Sequence, residues 1–164
     1  MTVRPERASD LAAIHAVHAA SFPTTVEARL VDALRTAHHL VVSLVAVEHD
    51  EVVGHVAFSP VRVAGTTAGV GLGPVAVLPA HRRRGVAERL IREGLAHCEA
   101  KGASFAVVLG EPAYYRRFGF APARQWGLQD EYGGGDAFQA LEFRPDASPR
   151  DAGLVAYAPE FATV

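Results

Sequence analysis

A chain of 164 residues, with 49% hydrophobic and 21% charged side chains, suits one domain with a sizeable core and is too apolar for a disordered segment. Its formal net charge of −2 gives no global attraction to nucleic acid or anionic lipid, so neither is expected as a partner. No apolar run approaches the ~20 residues of a membrane span. The N-terminus lacks the apolar stretch of a signal peptide, and the single cysteine, Cys98, excludes an internal disulfide; together these predict a cytoplasmic protein.

Thr2–Arg4 can begin a first strand. Ser9 or Asp10 is placed to cap a helix bearing Leu11, Ile14, Val17 and His18. Thr24-x-x-Glu27 reads as a capping box for a second helix, with Val26, Leu30, Ala33, Leu34 and Ala37 on one face. Leu40–Glu48 and Val52–Val61 are valine-rich runs separated by His49-Asp50-Glu51, which predicts a hairpin. Thr67–Leu78 reads as the next strand. Gly85–Lys101 has helical periodicity and Gly102 ends it. Phe105–Leu109 is a short apolar run suited to a buried strand parallel to the previous one, so strand, helix and strand form a crossover. Pro112 starts a short helix over Ala113–Phe118. Gly133-Gly134-Gly135 predicts a flexible loop, Ala137–Phe143 a late strand, and Leu154–Tyr157 a small edge segment. The order of elements is that of an α/β domain with a mixed sheet.

The crossover carries the chemistry. Gly73-Pro-Val-Ala-Val-Leu-Pro-Ala-His-Arg82-Arg83-Arg84-Gly85-Val86-Ala87 runs an apolar strand through three arginines and a glycine into a helix. Backbone N–H groups at a helix start have no intrahelical partner, and with guanidinium groups beside them they bind phosphate. Arg82–Ala87 is therefore the expected phosphate site, with Gly85 allowing close approach of the ligand. A Gly-x-x-x-x-Gly-Lys-Ser/Thr loop and a Gly-x-Gly-x-x-Gly turn are both absent, which argues against nucleotide triphosphatase and dinucleotide-binding readings.

Arg82-x-x-Gly85-x-Ala87 resembles the pyrophosphate loop of the GNAT-type N-acetyltransferases. Val75-Ala76-Val77-Leu78-Pro79 resembles that family's fourth strand, and Tyr115-Arg-Arg-Phe-Gly119-Phe120 its Tyr-x-x-x-Gly-Phe element. Leu109–Phe120 and Glu27–Arg35 resemble the small bacterial YhbS-like subgroup. The resemblance implies one GNAT-like domain over residues 1–164, with a mixed, splayed central sheet flanked by helices. It implies acetyl-CoA as acyl donor, held by the backbone of Val75, Ala76 and Val77 and by Arg82, Arg83, Arg84, Gly85, Val86 and Ala87. The acceptor is then a small-molecule or peptide amine, read by residues around Phe22–Leu34 and Gln129–Phe138. A non-catalytic acyl-CoA sensor is the alternative, and a homodimer is left open. In the resembled motif Tyr115 is the acid that protonates the departing thiolate; a phenol with a pKa of about 10 stays protonated at neutral pH. Tyr114 is expected to be core.

The general base is open. Glu111, just before Pro112, is either a helix-start charge or a base acting on the incoming ammonium. Glu27 is weaker, being accounted for by the capping box, and His55 is more simply a satisfied strand histidine. His15-x-x-His18 has no obvious third ligand, so no metal is expected. Cys98 lies on an apolar helix face and is expected to be inert.

Overall fold

A computed structural model, describing residues 1–151 and 153–163, places nine strands in a mixed sheet with four α-helices. The strands are β1 (Thr2–Pro5), β2 (Val42–Glu48), β3 (Glu51–Val63), β4 (Thr66–Val77), β5 (Phe105–Leu109), β6 (Ala121–Pro122), β7 (Leu128–Asp130), β8 (Phe138–Glu142) and β9 (Gly153–Ala156). The helices are α1 (Leu11–Ser21), α2 (Val26–Thr36), α3 (Val86–Ala100) and α4 (Pro112–Tyr115). The spatial order is β1-β2-β3-β4-β5-β8-β6, antiparallel apart from the β4–β5 pair, while β9 pairs with β3 and, in parallel, with β7. Among the described residues no helix is long and apolar enough to cross a membrane.

The sheet is covered on both faces. Val86, Leu90, Ile91, Leu95 and Cys98 of α3 pack with Val56, Phe58, Val70 and Leu72 on one face. Ile14 and Val17 of α1 and Val31 of α2 pack with Val45, Val52 and Ala76 on the other. The central strands are buried by helices on both sides, which is why they read as valine-rich runs rather than strict alternation.

Several expectations are corrected. Helix α2 starts at Val26, so Thr25 is the cap residue and Glu27 sits one place too early to complete a capping box; Thr24 Oγ1 accepts only from the Val26 N–H, at 3.3 Å. Asp10 precedes α1 without capping it, because its carboxylate is taken by Arg4 (2.7 and 3.1 Å) and by the Arg7 N–H (2.7 Å). The helix predicted over Ala113–Phe118 is α-helical only to Tyr115; Arg116–Phe118 tightens to a 3₁₀ turn, closed by Gly119 at φ 98°. The segment expected at an edge, Leu154–Tyr157, instead contributes β9, which continues the sheet beside β3 where β2 has ended. The triple glycine is an organised turn: buried Asp130 accepts from the Tyr132 and Gly134 N–H groups at 3.2 and 2.7 Å. Strands β6 and β7, of 2 and 3 residues, are too short to leave a periodic signal.

Candidate active site

The site is organised by a parting of β4 and β5. Their parallel pairing covers only Gly69↔Phe105, Val70↔Ala106 and Gly71↔Val107. From Leu72 onward β4 keeps β3 on one side, through Leu72↔Phe58, Val75↔Val56, Ala76↔His55 and Val77↔Gly54, and loses β5 on the other. The register shifts between Val56 and Phe58, so Gly73-Pro74 bulges and bends the strand away. Gly73–Val77 thus has no strand partner toward the gap, which has a cavity at each end, although Val77 O is taken by Ser21 Oγ and Arg82 Nε, each at 3.1 Å.

The first cavity, about 340 Å³, is lined by Val77, His81, Arg82, Arg83 and Gly85–Glu88, and by Tyr114 and Arg117 from across the gap. Gly85 is the cap residue of α3 at φ 77°, a left-handed conformation that favours glycine. It supplies no capping side chain, and a Cβ there would meet nothing within 4 Å, so the space around it is open. The first-turn N–H groups of α3 have no intrahelical acceptor and face the same space, at the positive end of a 15-residue helix.

The three arginines have separate positions. Arg82 folds back: its Nε donates to Val77 O (3.1 Å) and its Nη2 to Ser21 O (3.4 Å), tying the end of α1 to β4. Arg83, exposed and at φ 63°, lines the cavity; Arg84 is exposed and is not among the lining residues. Tyr114, read from sequence as core, is half-buried and lines the cavity, with the Arg117 guanidinium 4.4 Å from its ring centre. Tyr114, Arg117, His81 and Glu88 were missed as lining residues. Arg117 lies within the Tyr115–Phe120 element and is the one that sequence inspection was best placed to find.

Tyr115 packs among Tyr114, Phe118 and Phe120. Its ring lies over Gly110 at the end of β5; a Cβ at Gly110 would sit 2.3 Å from Tyr115 Cε2. Tyr115 is not among the residues lining either cavity; its sequence neighbour Tyr114 lines the first, and Leu109, next to Gly110, lines the second. Burial pushes its phenol above the ordinary value, so it is fully protonated at neutral pH. Glu111 is exposed and caps α4, its Oε1 accepting from the Ala113 N–H at 3.4 Å.

The second cavity, about 180 Å³, lies at the other end of that stretch, between Leu72-Gly73-Pro74 and Leu109. Its remaining wall comes from Glu27 and Leu30 of α2, and from Tyr132, Tyr157 and Phe161. Leu109 and Tyr132 are 39% and 51% exposed, so the apolar wall is open to an entering group. Glu27 and Tyr132 fall within the two stretches expected to read the acceptor; Tyr157 and Phe161 do not.

The histidines weighed in the sequence as ligands or base, His15, His18 and His55, are committed elsewhere. His15 Nδ1 pairs with Asp32 at 2.7 Å, whereas His18 Nε2 meets His55 Nδ1 at 2.8 Å, so the two do not converge. His55 is fully buried; its Nε2 lies 2.7 Å from Ser43 Oγ, which donates to Glu6, itself bound by Arg35 at 2.7 and 2.9 Å. Because Ser43 gives its proton to Glu6, His55 donates from Nε2 and accepts at Nδ1 from His18. With both nitrogens engaged, His55 is a structural group. Cys98 is buried, and burial pushes its thiol up to about 12.

The acetyltransferase (GNAT) domain family matches residues 2–123. The chain belongs to the GNAT acetyltransferase family. Its GNAT relatives include the uncharacterized N-acetyltransferase YhbS of Escherichia coli strain K12, 39% identical over 98% of both chains. The crystal structure of E. coli YhbS in complex with CoA superimposes with a TM-score of 0.93 at 38% identity, covering 98% of this chain and 91% of that one. A GNAT family acetyltransferase from Brucella melitensis, in complex with acetyl-CoA, gives a TM-score of 0.81 at 43% identity, over 98% and 97% of the two chains. The mixed, splayed sheet expected from the sequence is thus the GNAT fold.

Proposed function

We propose that this GNAT acetyltransferase transfers the acetyl group of acetyl-CoA to an amine by direct attack within a ternary complex. The observation that carries the reading is the stretch of β4 from Gly73 to Val77 that has no strand partner toward β5, running from a cavity of about 340 Å³ at the head of α3 to a smaller apolar cavity at Leu109. The related structures holding CoA and acetyl-CoA support it.

In this reading the pyrophosphate lies against the N–H groups of Gly85, Val86 and Ala87, with Arg83 and Arg84 adding positive charge and Arg82 bracing the strand. The pantetheine arm lies along Val75, Ala76 and Val77 as an added strand would, taking backbone hydrogen bonds. The thioester then falls at the Leu72–Pro74 end, beside the second cavity, where the amine enters. Backbone donors aimed at the carbonyl oxygen stabilise the charge that develops there. The amine nitrogen forms a bond to the carbonyl carbon, the carbon–sulfur bond breaks, and sulfur leaves with the electron pair. The Tyr115 phenol gives that sulfur its proton and recovers one from the new amide nitrogen through water. Glu111, exposed and engaged as a cap, is the less suited of the carboxylates to act as base.

The test is calorimetric titration with acetyl-CoA, followed by thiol release with a panel of amines. Micromolar binding with amine-dependent release of CoA is expected. Absence of binding at millimolar acetyl-CoA overturns the reading. Tight binding with no release across the panel leaves a non-catalytic acyl-CoA sensor.

A further inference from the structure

The capping-box correction leaves Glu27 without its expected partner. The residue is half-buried at the second cavity, and its Oε2 is buried with no hydrogen-bond partner among the described residues. Two more buried oxygens share that condition here: the Tyr157 hydroxyl and Ser59 Oγ. Ser59 pairs with Gly71, the last β4 residue joined to β5, so the two point to the same face. The Tyr157 ring covers that face, since a Cβ at Gly71 would sit 2.9 Å from its Cε1. An unpartnered carboxylate oxygen in an apolar cavity is costly unless a ligand completes it.

The rest of the wall narrows what completes it. Glu27 is the one charged group among the lining residues described. Tyr132, Tyr157 and Phe161 form a continuous aromatic wall, with ring centres 6.1 and 5.2 Å apart in sequence order. Aromatic faces attract cations and apolar bodies alike. Just outside, Glu131 accepts from the Tyr157 N–H at 2.9 Å and Asp130 braces the Tyr132 turn, so the surroundings repel a second carboxylate. The volume of about 180 Å³ is well under the ~300 Å³ at which sites for drug-sized ligands begin.

We infer that Glu27 is the acceptor-reading and proton-accepting residue, and that the acceptor is a compact primary amine with an apolar or aromatic body and no carboxylate. The inference rests on the acetyl-transfer reading for its chemistry. The substrate enters as an ammonium ion held by Glu27, with its body against Tyr132, Tyr157 and Phe161. Glu27 takes one ammonium proton and later releases it to solvent. The neutral nitrogen attacks the thioester and loses its second proton to the Tyr115 phenolate formed when sulfur is protonated. One ammonium ion and one acetyl-CoA thus give one amide, one CoA thiol and one free proton.

The test uses the full chain saturated with CoA, titrated calorimetrically with 2-phenylethylamine, 2-phenylethanol and phenylalanine. The amine is expected to bind roughly 10–10²-fold more tightly than the alcohol or the amino acid, as a desolvated charge pair would. Glu27→Gln is expected to abolish that preference while CoA affinity, measured separately, stays at the wild-type value and certifies the fold. Equal binding of amine and alcohol, failure of all three to bind, or a preference that survives Glu27→Gln overturns the inference. Thiol release separates the two readings. Glu27-dependent amine binding without turnover sinks acetyl transfer but keeps the recognition. Efficient acetylation of carboxylated amines, unaffected by Glu27→Gln, sinks the recognition but keeps acetyl transfer. In an active enzyme Glu27→Gln also lowers kcat/KM for the amine by roughly 10²-fold or more, the usual worth of a positioned base.

Discussion

The cavity at the head of α3 takes most of its wall from one stretch, Val77–Glu88, which includes the unpaired N–H groups at the start of α3. The cavity at Glu27 takes its wall from side chains spread between Glu27 and Phe161, on α2, β4, β5 and the C-terminal segment. Both flank the same stretch of β4. A backbone site depends on a local conformation, which a short motif encodes: an apolar strand, a glycine at positive φ, a helix start. A side-chain site depends on which distant elements meet, and each contributing residue looks ordinary in its own neighbourhood. The cavity at the head of α3 therefore rests on a local backbone conformation, and the cavity at Glu27 can be respecified by a few side chains without disturbing it.

The largest expected effect separates chemistry from binding. Tyr115→Phe removes a hydroxyl that makes no hydrogen bond among the described residues and keeps the ring packing. With an accepted amine it lowers kcat and kcat/KM together by roughly 10²–10⁴-fold, with CoA affinity unchanged. Full turnover where chemistry limits the rate would make Tyr115 a packing residue only. Next is Gly110→Ala, whose methyl would meet the Tyr115 ring at 2.3 Å and must displace it. A loss of about 10²-fold in kcat is expected from misplacement on this scale. Combined with Tyr115→Phe, the change should cost little more; additive losses would show that Gly110 acts independently of Tyr115.

At the donor end, Gly85→Val strains a φ of 77° and fills open space, whereas Gly85→Asn fills the space in a conformation asparagine tolerates. Both are expected to weaken CoA binding by roughly tenfold or more, the worth of a lost hydrogen bond to a charged group. Only the valine variant should also lower Tm. Wild-type CoA affinity in a folded Gly85→Asn protein would remove the phosphate from this loop.

The smallest effect concerns neither cavity but the buried chain of side chains beneath α1. Burial, then the neighbouring His55, pushes His18 down to about 3 from an ordinary 6.5, and burial also lowers His55 against the pull of Glu6. The folded state thus refuses protons that the unfolded state accepts below pH 6.5. Stability is fully present above that pH and declines as pH falls toward 3. Burial raises Glu6, but hydrogen bonds from Arg35 and Ser43, with the His55 ring 3.8 Å away, outweigh it and hold the carboxyl well below the usual range, so its contribution is lost only below about 4.5. Urea midpoints should therefore fall between pH 6.5 and 4.5, and less so in His18→Gln. A flat midpoint over that interval would mean that His18 is protonated in the folded protein.

The amino-acid pattern alone determined the helices, the long strands, the β4–α3–β5 crossover and the glycine-led turn at the head of α3. Each follows from interactions within a few residues: periodicity, a proline or glycine at an element end, unpaired N–H groups at a helix start. Tertiary structure decided the rest. The release of Glu27 from its expected capping box depended on a helix beginning one residue later than its capping motif suggested. The place of Tyr114 at the cavity at the head of α3 depended on how α4 turns against α3. Tyr157 reached Gly71 because β9 continues the sheet beside β3, a long-range pairing that no local pattern announces. Local steric and hydrogen-bonding preferences are written residue by residue, whereas the meeting of distant side chains is fixed only when the whole sheet has closed around its core.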